Sequence, residues 1–228
     1  ENIRKFIFSR DSRACNGEES LPDVEILIPE LRQASYSSYT WPCAPILSLF
    51  LWQRRESLVG KRILELGAGT SLPGILAAKC GAQVTLSDHA TLPKTLSHIK
   101  HCCNLNNLTP GEDIEVKGIS WGLILSSLFN LKPIDLIIAS DCFYDPTVFE
   151  EILVTVSFLL EQNPGAKFLF TYQERSSDWS IEALLKKWKL KCVNVSLSGI
   201  NAGLDISLNC HMGGHTIHLL EITLNPSL

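Results

Sequence analysis

No apolar run in the 228 residues is long enough to cross a bilayer, which takes about 18 or more. No secretory leader is visible either, so a membrane is not an expected partner. Basic runs are also missing. The net charge is −4, from 20 Lys and Arg against 24 Asp and Glu, whereas non-specific binding to a polyanion needs clustered positive charge. Direct nucleic-acid contact is therefore not expected. The eight cysteines, at 15, 43, 80, 102, 103, 142, 192 and 210, include no Cys-Xaa-Xaa-Cys. That speaks against a zinc site or a disulfide framework and for a reducing compartment. His211, His215 and His218 lack the spacing of a metal site as well, so no metal is expected. Repeats and low-complexity segments are missing too, and one domain is the simplest count for this length.

What the chain does have is Arg62-Ile63-Leu64-Glu65-Leu66-Gly67-Ala68-Gly69-Thr70-Ser71-Leu72-Pro73-Gly74. Residues 63–66 read as a short buried strand with Glu65 near its end, and 72–80 as a helix. A strand turning sharply into a helix leaves free backbone N–H groups and a positive dipole end at the turn. Glycines let a ligand approach that backbone. A lone Gly-Xaa-Gly is a weak signal, and Leu72 stands where the dinucleotide fingerprint has its third glycine. The next strand strengthens the case. Residues 83–86 run into Ser87-Asp88, and Asp88 lies 19 residues after Gly69, where an acid can accept from ribose hydroxyls. A ribose-bearing cofactor is the expectation.

Along the chain, residues 5–8 and 24–28 suit a hairpin whose second strand stops at Pro29. The polar residues 9–20 between them read as a loop. Tyr36-Ser-Ser-Tyr39-Thr-Trp41-Pro42 then leads into a helix from Pro45, with Ile46, Leu49, Phe50 and Gln53 on one face, and Gly60 ends the unit. Further on come a helix over 92–104, a strand over 114–119, Ser120-Trp121-Gly122, and a continuously apolar strand over 135–139. Ser140-Asp141-Cys142-Phe143-Tyr144-Asp145 follows, then a helix over 146–161, a strand over 167–172 and a helix over 178–189. Strands over 191–197 and 215–224 close the chain as an antiparallel pair. The expected fold is α/β: a doubly wound seven-strand sheet with a closing antiparallel hairpin. Residues 1–60 would form an N-terminal extension packed on a core of 61–228, the two making one structural unit.

The strands over 63–66 and 135–139 should flank the point where strand order reverses, so their C-terminal ends meet at one crevice. That gathers Gly67, Ala68, Gly69, Asp88 and the run from Asp141 to Asp145. Asp141 with Phe143 and Tyr144 suits a cationic partner, by carboxylate pairing and by ring faces. Asp145 precedes Pro146 and is equally suited to cap the helix. Asp141, at a strand end, has no such use.

Leu64 to Gly74 resembles the cofactor loop of seven-strand methyltransferases that use S-adenosylmethionine. Asp141-Cys142-Phe143-Tyr144 is similar to the Asp-Xaa-Xaa-Tyr/Phe signature of family 16, the protein-methylating branch. Trp41-Pro42-Cys43-Ala44, Ser120-Trp121-Gly122 and Thr171-Tyr172-Gln173-Glu174-Arg175 resemble that family too. The likeness runs from about residue 24 to the end. It implies S-adenosyl-L-methionine as cofactor, with Glu65, Gly67, Ala68 and Gly69 at its methionine end, Asp88 on the ribose and Trp121 on the adenine. Trp41 and Ser140 would complete the pocket, and Asp141 and Tyr144 would face the substrate nitrogen as the catalytic residues. The implied reaction is N-methylation of a basic side chain in a protein. Most of the family methylates lysine, while the nearest likeness is to a branch linked to histone arginine. A histone or other basic protein is then the expected substrate, with chaperone or transcription-factor partners and action in cytoplasm and nucleus. Ser71 stands where many relatives have Gly, and the double-glutamate pair of the usual arginine methyltransferases is missing.

Two alternatives remain at this stage. A nicotinamide-dependent dehydrogenase lacks its third glycine here and has no room for a second catalytic domain. A non-catalytic cofactor-binding protein is disfavoured by intact Asp141 and Tyr144. Residues 198–214 exceed the usual hairpin connection and are expected to form a substrate-recognition loop at the crevice rim.

Overall fold

Two strands come first. β1 (Asn2–Phe8) and β2 (Val24–Glu30) pair antiparallel, with Asn2 opposite Glu30 and Phe8 opposite Val24. The computed structural model describes residues 2–9, 23–31, 36–176, 179–197 and 216–225, so residues 10–22, the loop over 198–214, His211 and His215 lie outside the described residues. β2 runs past its expected stop at Pro29. The reason lies in Leu27, whose N–H donates to Asn106 Oδ1 at 2.9 Å and whose carbonyl accepts from Asn106 Nδ2 at 2.7 Å. That side of β2 faces away from β1. Pro29, two residues on, shares it, and its missing N–H breaks no ladder bond.

The remaining elements are α1 (Cys43–Gln53), β3 (Arg62–Leu66), α2 (Leu72–Lys79), β4 (Gln83–Asp88), α3 (Pro93–Leu105), β5 (Glu115–Gly118) and α4 (Ser126–Phe129). After these come β6 (Leu136–Ser140), α5 (Phe149–Gln162), β7 (Lys167–Gln173), α6 (Glu182–Lys187), β8 (Leu190–Val195) and β9 (Ile217–Leu224). The seven-strand sheet has the order β5-β4-β3-β6-β7-β9-β8. Its first five strands are parallel to one another, and β9 is antiparallel to both β7 and β8. Strand order reverses between β3 and β6, which therefore flank the crevice.

The period of two along a strand decides which face each side chain serves. Ile63, Val84, Leu86 and Ile138 join one buried cluster with α1, α2, α3 and the β1–β2 hairpin, through Phe6, Phe8, Ile26 and Ile28. Leu64, Leu66, Ile137 and Ala139 join a second cluster with Ile152, Leu153 and Val156 of α5. Helical layers thus cover both faces, as the continuous apolar strands require.

Three helices differ from expectation. α1 starts two residues before Pro45 and is buried on every side from Cys43 to Trp52, leaving Gln53 exposed. It is not one-faced because it is enclosed by the sheet and by α2, with Thr171 Oγ1 donating to Cys43 O at 3.0 Å. α6 is six residues long and ends before Lys189, which takes a left-handed φ of 51°. α4 is a single short turn that periodicity over so few residues does not reveal.

Candidate active site

The glycine turn after β3 is held from beneath. Ala68 N–H donates to Ser87 O at 2.8 Å, and Gly69 N–H donates to Asp88 Oδ2 at 3.0 Å. Asp88 Oδ1 accepts from His89 N–H at 2.8 Å. Burial pushes the Asp88 carboxyl above the ordinary carboxylate range, and the two amide donors pull it back. Each of its oxygens still has a lone pair for a further donor. Gly67 has φ +62°, and a Cβ there would meet Trp121 Cζ2 at 3.0 Å. The indole of Trp121 therefore occupies the space that a side chain at this position would need.

These groups line a cavity of about 470 Å³ at the C-terminal ends of β3, β4 and β6. Trp41, Gly67, Ala68, Gly69, Asp88, Trp121, Ser140, Asp141 and Tyr144 all contribute to its wall. Glu65 does not. Strand alternation turns it under α2, where it is fully buried and its Oε2 accepts from Gly74 N–H at 3.0 Å. The expected direct hold on a methionine moiety is corrected accordingly: Glu65 supports the turn from behind. Burial raises its carboxyl to about 8.

Asp141 also differs from expectation. It lines the cavity, but its carboxylate is already engaged. Arg175 Nη1 donates to Oδ1 at 2.8 Å and Arg175 Nη2 to Oδ2 at 2.5 Å, while Gln173 N–H reaches Oδ1 at 3.4 Å. Its backbone has φ +60°. The free carboxylate that a substrate cation would need is therefore paired within the chain. Asp145 caps the turn before α5, its Oδ1 accepting from Thr147 N–H at 2.9 Å and Thr147 Oγ1 at 2.8 Å. Tyr144 is 54% exposed at the rim.

Sequence reasoning gave no role to the other wall residues. Tyr36, Ser37 and Tyr39 line the same cavity, and Ser37 lies against Gly69, where a Cβ would meet Ser37 O at 3.2 Å. The Tyr36 ring stacks on Trp41 at 6.1 Å and 27°, and Tyr39 meets Trp41 edge-on at 5.3 Å. Trp41 Nε1 donates to Tyr36 O at 2.9 Å. Three aromatic residues within six positions were the available signal. Arg175 was visible only as the end of a motif.

A family model described as lysine methyltransferase matches residues 20–184. The chain belongs to this methyltransferase family. It is 48% identical to the histone-arginine methyltransferase METTL23 of Xenopus laevis, over 89% of this chain and 86% of the relative. The human protein of the same description is 50% identical, over 81% of this chain and 96% of its own length. Among solved structures, the 16S rRNA N2 G1207 methyltransferase RsmC of T. thermophilus, in complex with AdoMet and guanosine, has a TM-score of 0.57 at 15% identity. It covers 98% of this chain and 50% of that one, a likeness of fold. The protein is a methyltransferase that uses S-adenosylmethionine, and the dehydrogenase alternative falls. The wall fits that cofactor. An adenosine needs a flat ring partner and an acid for its ribose, and Trp121 and Asp88 supply these in one cavity, with the Gly67–Gly69 turn in the same wall.

Proposed function

We propose that this methyltransferase modifies arginine side chains of proteins, with histones as the favoured substrate. The observation that carries this reading is the likeness, over most of both chains, to curated histone-arginine methyltransferases. The cavity mouth agrees with it chemically. A guanidinium stays protonated in proteins, and a planar cation suits ring faces. Tyr36, Tyr39, Trp41 and Tyr144 offer four rings around one opening.

In this reading Trp121 packs on the adenine, Asp88 accepts from the ribose, and Gly67, Ala68 and Gly69 line the methionine end. Trp41 and Ser140 complete the pocket. When bound, S-adenosylmethionine supplies a sulfonium methyl already activated for transfer. The chain's own residues align the acceptor nitrogen and exclude water, so orientation accounts for most of the effect. Tyr144 is the acceptor-side residue. Its phenol is held above its ordinary pKa, first by burial and then by the charges of Asp88 and Asp145, so it remains a donor at neutral pH. Asp141 acts through Arg175.

Lysine is the second reading, favoured by the description of the family model. Transfer of labelled methyl groups to purified core histones, followed by mass spectrometry of the modified residues, separates the two. Methylarginine is expected. Methylation confined to lysine, or none on protein, would overturn the assignment.

The wider reading is of an enzyme of cytoplasm and nucleus that meets basic proteins, with chaperone or transcription-factor partners, and binds neither nucleic acid nor membrane directly. Six cysteines among the described residues are free thiols, in keeping with a reducing compartment. No helix among the described residues is long and apolar enough to cross a membrane. Affinity purification from fractionated cells tests this part. Recovery only with membranes or nucleic acid would contradict it.

A further inference from the structure

The cavity wall carries two acids, Asp88 and Asp141, and one base, Arg175. What the cavity meets at the Asp141 end is the guanidinium. The Asp141 side chain is 4% exposed and that of Arg175 is 26% exposed. The donors of Arg175 can be counted. A guanidinium has five N–H groups in a planar fork. Two, one on each Nη, form the bidentate pair with Asp141, and the second N–H of Nη1 goes to Gln173 O at 3.1 Å. Two remain, on Nε and on the outer side of Nη2, and neither has an acceptor among the described residues. They lie side by side on one edge, and that edge has the spacing of a carboxylate.

S-adenosylmethionine has one anionic group at neutral pH, its α-carboxylate. With the adenosine on Trp121 and Asp88, the methionine end would share the cavity with Ser140, Asp141, Trp41 and Arg175, which line the same wall. A carboxylate brought there faces Asp141 at close range, and a carboxylate without a partner is costly to bury. We propose that Arg175 binds the α-carboxylate of S-adenosylmethionine through its Nε–Nη2 edge, and that Asp141 is the residue that holds Arg175 in place. This rests on the cavity being the cofactor site and adds a residue to it. Arg175 is then a cofactor-binding residue, and Asp141 a positioning residue acting through it.

The test compares two ligands by calorimetry, S-adenosylmethionine and its decarboxylated form, which lacks only the carboxylate. Wild type is expected to bind the decarboxylated form about tenfold to a hundredfold more weakly, the scale of a charge-assisted hydrogen-bonded pair. Arg175→Gln is expected to bind S-adenosylmethionine more weakly by a similar factor and the decarboxylated form as wild type does. Removing Arg175 leaves Asp141 buried without its partner and endangers the fold. The double variant D141N/R175Q restores an uncharged, hydrogen-bonded pair, and a thermal melt of each variant verifies folding. Equal affinity of wild type for the two ligands would overturn the proposal, as would folded variants that keep the wild-type preference. Gly67→Arg separates this from the site assignment. It should abolish binding of both ligands, and retained binding there would sink the cavity itself as the cofactor site.

Discussion

Glu65 and Gly74 meet inside the layer between β3 and α2, where the Gly74 N–H donates to Glu65 Oε2 at 3.0 Å. A Cβ on Gly74 would overlap both that oxygen and Leu86 Cδ2. Close helix–strand packing is the task of the third glycine in a dinucleotide fingerprint. Here the task has moved two positions on, from Leu72 to Gly74.

Gly74→Ala is therefore expected to destabilise the protein by about 1–3 kcal/mol, the usual effect of overpacking a filled core. The helix propensity of alanine acts in the opposite direction by about 1 kcal/mol, so a net loss would mark the overlap as the larger effect. Urea unfolding measures it. A midpoint equal to or above wild type would mean that α2 can move away without cost.

Glu65 gives a pH signature with a definite sign. In the unfolded chain its carboxyl titrates near the ordinary value of about 4.3, and in the folded chain burial holds it at about 8. Between those values the folded state carries the extra proton, so stability is full below about 4.3 and declines as pH rises toward about 8. Glu65→Gln has no such proton. Its melting temperature should gain on wild type between about pH 5 and about pH 8. Parallel profiles across that window would show that Glu65 does not titrate there.

The seven-strand sheet and the crevice were legible in the sequence because they follow from local rules, whereas the insertion of β9 between β7 and β8 was not. Apolar runs mark central strands, and the turn at Gly67 to Gly69 with Asp88 marks the switch point. Two site residues sit differently from what their motifs suggest, for physical reasons. Glu65 belongs to the strand's period of two, which turns it under α2, whereas the motif suggested the crevice. Asp141 and Arg175 are 34 residues apart in sequence, and only the pairing of β6 with β7 brings their ends together. No local pattern reports such a pair. Tyr36 and Tyr39 were legible as composition but not as a wall, since their place in the cavity lining depends on how the N-terminal segment folds back.

Ser71 precedes α2 with φ +61° and a buried Oγ that has no hydrogen-bond partner among the described residues. A left-handed conformation costs a residue with a Cβ about 1–2 kcal/mol, and glycine loses about 0.5–1 kcal/mol through the freedom of its unfolded chain. Ser71→Gly is expected to stabilise the fold by up to about 1 kcal/mol on balance. Ser71 is not part of the cavity wall, so affinity for S-adenosylmethionine should stay as it is. A lower melting temperature would point to a role for the hydroxyl, and a weaker cofactor affinity would tie that role to the site.

Tyr144 and Asp145 are neighbours with opposite expected behaviour. Asp145 is held below the ordinary carboxylate range by Thr147 N–H and Thr147 Oγ1, which is the work of a cap. Tyr144 stands half exposed on the cavity wall. Asp145→Ala should lower the melting temperature slightly and leave the KM for a histone substrate unchanged, while Asp145→Asn, able to cap in the same way, should match wild type in both. Tyr144→Ala should raise that KM or lower kcat with cofactor affinity preserved. Tyr144→Phe then divides the effect. If the ring face recognises the cation, phenylalanine restores transfer, and if the hydroxyl orients the acceptor, it does not. A rise in KM for Asp145→Ala equal to that for Tyr144→Ala would return Asp145 to the substrate side, because loss of a cap on the 3₁₀ turn over Pro146–Val148, just before α5, gives no reason for it.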